Sequence, residues 1–94
     1  NGVSFGARYT VVAADATAGE ITFIFKGTGD KAVSYPLAAN ISVTRSGVNV
    51  ALADAVITYP ANGTVKIADG AATFDVTAGD VISIIAQRAD VSVE

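Results

Sequence analysis

The sequence predicts an all-β protein, a single antiparallel β-sandwich or barrel of about seven or eight short strands. Three observations carry this. Apolar and polar residues alternate in runs of strand length, which places one set of side chains on each face of a pleated ribbon. Gly, Pro, Asn and Asp interrupt those runs at short intervals, each being a residue that turns favour. Nowhere do apolar residues recur at three and four over a helix-length window, so at most one short helical turn is expected.

Residues 3–13 open the pattern. Val3, Phe5, Ala7, Tyr9 and Val11 share one face, and Ser4, Gly6, Arg8, Thr10 and Val12 the other. Residues 14–19 are small and turn-prone. In 20–26, Ile21, Phe23 and Phe25 line one face while Thr22, Ile24 and Lys26 line its reverse, a β-branched and aromatic mixture suited to a pleated surface. Gly27, Gly29 and Asp30 break this strand. The stretch 27–40 is the least regular. Within it, Val33-Ser34-Tyr35 reads as a short strand that Pro36 ends, because proline has no N–H for a ladder. Alternation returns over 40–45 with Ile41 and Val43 inward, and Ser46-Gly47 signals a turn. Val48, Val50 and Leu52 then share one parity, whereas Ala55, Ile57 and Tyr59 share the other. The switch at Ala53-Asp54 marks a break between two strands.

Tyr59-Pro60-Ala61-Asn62-Gly63 is a turn in which Pro60 presets φ and Asn62-Gly63 tolerate positive φ. A short strand follows over 64–68. Asp69-Gly70 is a two-residue hairpin signal, with Ala72, Phe74 and Val76 as the returning face. After Thr77-Ala78-Gly79-Asp80 the chain runs almost continuously apolar over 81–86, which reads as a central strand covered on both faces. Val91 and Val93 are expected to add a terminal edge. Thr17-Ala18-Gly19-Glu20 followed by Ile21-Thr22-Phe23-Ile24 echoes Thr77-Ala78-Gly79-Asp80 followed by Val81-Ile82-Ser83-Ile84, and reuse of a good turn explains the pair.

The chain has 94 residues, enough for one domain over 1–94 and too few for two. A domain of this size buries somewhat over ~60% of the surface its unfolded chain exposes. Hydrophobic residues make up 51% and charged residues 16%, a balance that excludes disorder. The net charge of −3 repels phosphate backbones and anionic lipid, so neither nucleic acid nor membrane is an expected partner. With no cysteine there are no disulfide staples, which fits a bacterial or viral protein better than a small secreted animal domain. No apolar run reaches membrane-spanning length. The first residue is Asn rather than Met, so Asn1 is expected not to be the first residue of the gene product.

Chemistry is sparse. There is no His to serve a Ser or Cys nucleophile, and no Cys or His to hold zinc or copper. Ser34 near Lys31 and Ser46 beside Arg45 sit in ordinary turns. Paired acids for glycoside hydrolysis would need a deep cleft that a fold this small rarely leaves. Asp30, Asp54, Asp69, Asp75 and Asp80 lie in or beside turns, but none shows calcium-loop spacing, and a turn-forming role accounts for them. The 27–30 segment lacks the Lys-Ser/Thr ending of a phosphate loop. Asn40-Ile41-Ser42 and Asn62-Gly63-Thr64 match the glycosylation sequon, though turn geometry explains the second. Tyr9, Tyr35 and Tyr59 are candidates for sugar stacking, Tyr35 being the one expected to be most exposed, and packing is the simpler account of all three. No catalytic, metal-binding or cofactor-binding residue is assigned, and no cofactor is expected.

Apolar residues exceed what one sandwich can bury. Val12, Ile24, Val56 and Ile84 fall opposite the best core stripes, so part of the surface is expected to be covered by a second subunit, with a homotrimer favoured. The segment Phe74-Asp75-Val76-Thr77-Ala78-Gly79-Asp80-Val81-Ile82-Ser83-Ile84-Ile85-Ala86 resembles the closing hairpin of small virion-surface and fibre-tip β domains. Tyr9-Thr10-Val11-Val12-Ala13-Ala14-Asp15-Ala16-Thr17-Ala18-Gly19 is similar in style to small tailed-phage structural proteins. The likeness spans about half the chain. It implies a capsid decoration (cement) protein or a head or tail fibre domain on the virion surface, partnered by itself and by a capsid or fibre protein. It implies no catalytic residue. The other reading is an extracellular adhesion module that binds glycan or protein through the 31–36 loop, with Lys31, Tyr35 and Pro36 as contacts.

Overall fold

The computed structural model describes residues 4–71 and 73–89. Among them are seven strands: β1 (Ser4–Thr10), β2 (Glu20–Ile24), β3 (Leu37–Arg45), β4 (Val48–Asn49), β5 (Val56–Thr58), β6 (Thr64–Ala68) and β7 (Val81–Arg88). They form two antiparallel sheets, one of four strands in the order β1-β7-β3-β4 and one of three in the order β2-β6-β5. This is the all-β sandwich that the alternation predicts.

Register explains the core. In the larger sheet Phe5, Ala86 and Ala39 form one cross-strand row, Ala7, Ile84 and Ile41 the next, and Tyr9, Ile82 and Val43 the third. In the smaller sheet Ile21, Ile67 and Ile57 make one row, and Phe23 pairs with Val65. Val65, Ile67, Ile82, Ile84 and Ala86 are almost wholly removed from water. Each such aliphatic side chain larger than alanine contributes about 1.5–3 kcal/mol by burial. Aromatic contacts tie β1 to the β2 side of the sandwich: Phe5 lies 5.8 Å from Phe25, and Tyr9 meets Phe23 edge-on at 5.8 Å.

The structure corrects several expectations. β7 is central, flanked by β1 and β3, but only one of its faces is covered. Ile85 is 55% exposed while Ile84 is 1% exposed, so the surplus apolar residue on this strand is Ile85 rather than Ile84. A continuous apolar run hides its own parity, and an antiparallel sheet can leave one face in water. Asp69-Gly70 does not open a hairpin with β6, because β2 and β5 already occupy both edges of that strand. The described residues 69–71 and 73–80 are instead irregular and still bury Phe74 and Val76. The predicted returning face includes Ala72, which lies outside the described residues, as do Val3, Val91 and Val93. Within the segment 74–86, residues 74–80 thus form a loop leading into β7, and there is no hairpin.

Val33-Ser34-Tyr35 is not a strand either. A single bridge, Lys26 to Ala32, precedes it, and β3 begins immediately after Pro36, where a missing N–H costs the ladder nothing. β3 therefore starts earlier than the alternation shows, with Leu37 and Ala39 extending the inward stripe. β4 has only two residues, and its Val48 side chain points to solvent. The break at Ala53-Asp54 is a turn, with Ala55 N–H donating to the Leu52 carbonyl at 3.2 Å.

The small residues after β1 form a six-residue helix, α1 (Ala13–Ala18), with no buried residue. Alanine favours a helix where nothing else decides. Asp15 fixes its start by accepting the Val12 N–H at 3.2 Å, and Gly19 ends it by donating its N–H to the Asp15 carbonyl at 2.9 Å.

Candidate interaction surface

The 27–36 loop holds the three predicted contact residues. Its tip is closed by Gly27 N–H donating to the Lys31 carbonyl at 2.8 Å. Behind the tip, Val33 N–H donates to the Phe25 carbonyl at 3.0 Å, and the Val33 side chain enters the core. Lys31 and Pro36 are exposed. Tyr35 is not the open platform expected, because its ring is half-buried. It sits 6.5 Å from the Phe5 ring, with the Arg88 guanidinium 4.8 Å from its centroid. The loop is further held by Ala89 N–H on the Pro36 carbonyl at 3.0 Å, Asn62 Nδ2 on the Ser34 carbonyl at 2.9 Å, and Gly63 N–H on the Tyr35 carbonyl at 3.1 Å. The three residues share one loop but do not converge on a pocket. Lys31 sits near the tip, Tyr35 packs against the core, and Pro36 leads into β3.

The other tyrosines are also engaged. Tyr9 donates its hydroxyl to the Asp15 carboxylate, and that bond raises the phenol pKa, with desolvation and the carboxylate charge adding to it. Tyr59 accepts the Ala39 N–H at 3.2 Å, linking the end of β5 to β3. At 43% exposure Tyr59 is more open than Tyr35.

The turn carboxylates face protein donors. Asp54 accepts Thr73 N–H at 2.8 Å, Thr73 Oγ1 at 2.7 Å and Phe74 N–H at 3.1 Å. Asp69 accepts Val76 N–H at 2.6 Å. Asp80, only 2% exposed, is gripped by Arg45, whose own pKa is raised by that hydrogen bond and by the charges of Asp80 and Asp75. Among the described residues no three acids converge as a metal-binding group.

The remaining feature is apolar surface. On the outer face of the larger sheet Ile85 stands between Gly6 and Asn40 in cross-strand register, and the next row is Arg8, Ser83 and Ser42. Gly6, Ser42 and Ser83 are small neighbours of Ile85, while Arg8 and Gln87 stand in the adjoining rows. A shallow open depression of ≈ 160 Å³ lies there between β3 and β7, lined by Asn40, Ile41, Ser42, Ser83 and Ile85. On the outer face of the smaller sheet Ile24 is 54% and Val56 46% exposed, at opposite ends of a face crossed by the Lys66–Glu20 ion pair at 2.9 Å. Val12, Ile24 and Val56 are exposed as the parity argument expects. Compared with protein-family models, curated proteins and solved structures, the chain matches none.

Proposed function

We propose that this chain is a non-catalytic building block of a larger protein assembly, a virion surface in the first instance, acting as a capsid decoration or fibre domain. The observation that carries the reading is the outer face of the four-stranded sheet, where Ile85 stands exposed among Gly6, Asn40, Ser42 and Ser83. Such a face offers a neighbour an apolar contact at Ile85, and obligate interfaces are more apolar than the rest of a protein surface. Asp54, Asp69 and Asp80 support the same reading, because their carboxylates are turned onto backbone, threonine and arginine donors rather than onto a cleft. The partner is a second copy, with a trimer as the first arrangement to test, together with a shell or fibre protein.

The test is the solution mass by light scattering across a concentration series, with Ile85→Asp beside the parent chain. Association of the parent and dissociation of the variant support the reading. A parent that stays monomeric throughout and fails to bind an assembled shell overturns it. If that monomer binds glycans and loses them on Lys31→Ala, the adhesion reading through the 31–36 loop takes its place.

A further inference from the structure

We propose that Asn62 is a site of spontaneous self-modification, gated by the 31–36 loop, and that its reaction unlatches that loop. Asn62-Gly63 forms a turn and, with Thr64, matches a sequon, and its position gives it a further property. Two of the bonds that hold the loop come from this pair: Asn62 Nδ2 donates to the Ser34 carbonyl at 2.9 Å, and Gly63 N–H donates to the Tyr35 carbonyl at 3.1 Å. The same two nitrogens are the leaving group and the nucleophile of asparagine deamidation.

In that reaction the Gly63 backbone nitrogen attacks Asn62 Cγ. The Cγ–N bond forms, the Cγ–Nδ2 bond breaks, and ammonia leaves with the proton given up by Gly63. Water then opens the cyclic imide. Addition at the side-chain carbonyl gives aspartate, and addition at the main-chain carbonyl gives isoaspartate. Water is the only co-reactant and nothing is oxidised or reduced. Glycine after the asparagine favours the step, because no Cβ shields the attacking nitrogen.

The fold ties both nitrogens to the loop. Gly63 is buried, and its carbonyl accepts the Phe25 N–H at 2.8 Å. Its Cα lies so close to Val33 that an added Cβ would come within 2.8 Å of the Val33 backbone N and O. The turn therefore cannot rotate its nitrogen toward Cγ until the loop lifts. The rate follows the population of the opened loop. Afterwards the latch does not re-form. A carboxylate oxygen replaces the amide donor opposite the Ser34 carbonyl, and two acceptors cannot bond. Isoaspartate also adds a methylene to the main chain beside the tight Gly63–Val33 contact. Lys31 and Pro36 lie on the segment that is released.

This inference does not depend on whether the chain assembles. The test incubates the intact protein folded and in urea at one pH and temperature. Peptide mapping with isoaspartyl labelling separates Asn62 from the other Asn-Gly pair, Asn1-Gly2. We expect Asn62 to react at least about tenfold more slowly in the folded chain, as opening-limited chemistry requires. Amide exchange at Val33 should be faster in the modified fraction and in Asn62→Asp. Asn62→Gln, which keeps a donor but would have to close a six-membered imide, far more slowly, should not react on the same timescale or gain exchange. Equal folded and unfolded rates, absence of reaction in urea, or unchanged Val33 exchange after modification would each overturn the proposal.

Discussion

Arg45 lays its guanidinium fork along the Asp80 carboxylate, Nε to Oδ1 at 2.9 Å and Nη2 to Oδ2 at 3.0 Å. Arg45 closes β3 and Asp80 immediately precedes β7, so the pair fastens two adjacent strands at the same end of the larger sheet. The second Nη2 contact, to Thr77 Oγ1 at 3.1 Å, extends the clasp to the turn before β7. The charges are unequally placed, since Asp80 is buried and Arg45 half-exposed. Arg45→Met should therefore lower the thermal midpoint more than the double change Arg45→Met with Asp80→Leu, because the single change strands a buried carboxylate. Differential scanning calorimetry of both variants checks the order.

Ile84→Ala should cost about 2–5 kcal/mol, as for a buried aliphatic residue cut to alanine. Ile85→Ala, one position along the same strand but on the open face, should stay within about 0.5 kcal/mol in the monomer. Urea denaturation of the two variants reads this directly. Equal losses would contradict the strand's facing.

Gly63→Ala should destabilise by about 1–3 kcal/mol, because φ is +74° and Val33 backbone stands where the methyl would go. Gly47→Ala, at φ +80° in the β3–β4 hairpin with open space around it, should lose about 1 kcal/mol from backbone strain alone. Equilibrium unfolding separates steric from torsional cost.

Tyr9 titrates above the ordinary tyrosine value of 10.0, because its hydroxyl is bound to Asp15. The folded chain thus holds this proton more tightly than the unfolded chain. The resulting stabilisation is fully present below pH 10.0 and is lost as pH rises through the higher folded value. Tyr9→Phe should flatten the alkaline fall in stability, and a phenolate transition above the ordinary tyrosine value should disappear from the ultraviolet titration.

Asp54→Ala should release the chain around Thr73 and Phe74, whose N–H groups it binds. Hydrogen exchange at those two amides should rise well above that at Ile82 in the neighbouring core strand.

Alternation made much of this fold legible. Phe5, Ala7, Tyr9 and Val11 face inward as their parity requires, and so do Ile21, Phe23 and Phe25. It failed where parity carries no information. The run Val81-Ile82-Ser83-Ile84-Ile85-Ala86 needed its neighbours to choose a face, and cross-strand pairing with Ala7 and Ile41 made that choice for Ile84. It also failed at Asp69-Gly70, where turn chemistry is local but the availability of a strand edge is not. The surface was less legible still. Tyr35 and Tyr59 differ in exposure because of Phe5 and Arg88, residues distant in sequence from both.

The sheet order also has a kinetic consequence. β1 and β3 have no ladder with each other, and each waits for β7, which follows both in the chain. Phe5 must find Ala86 across nearly the whole sequence before the larger layer exists. Contacts so remote make closure slow compared with a local hairpin. The larger layer therefore closes only when β7 joins, and any shortening that removes β7 leaves β1 and β3 without a common partner.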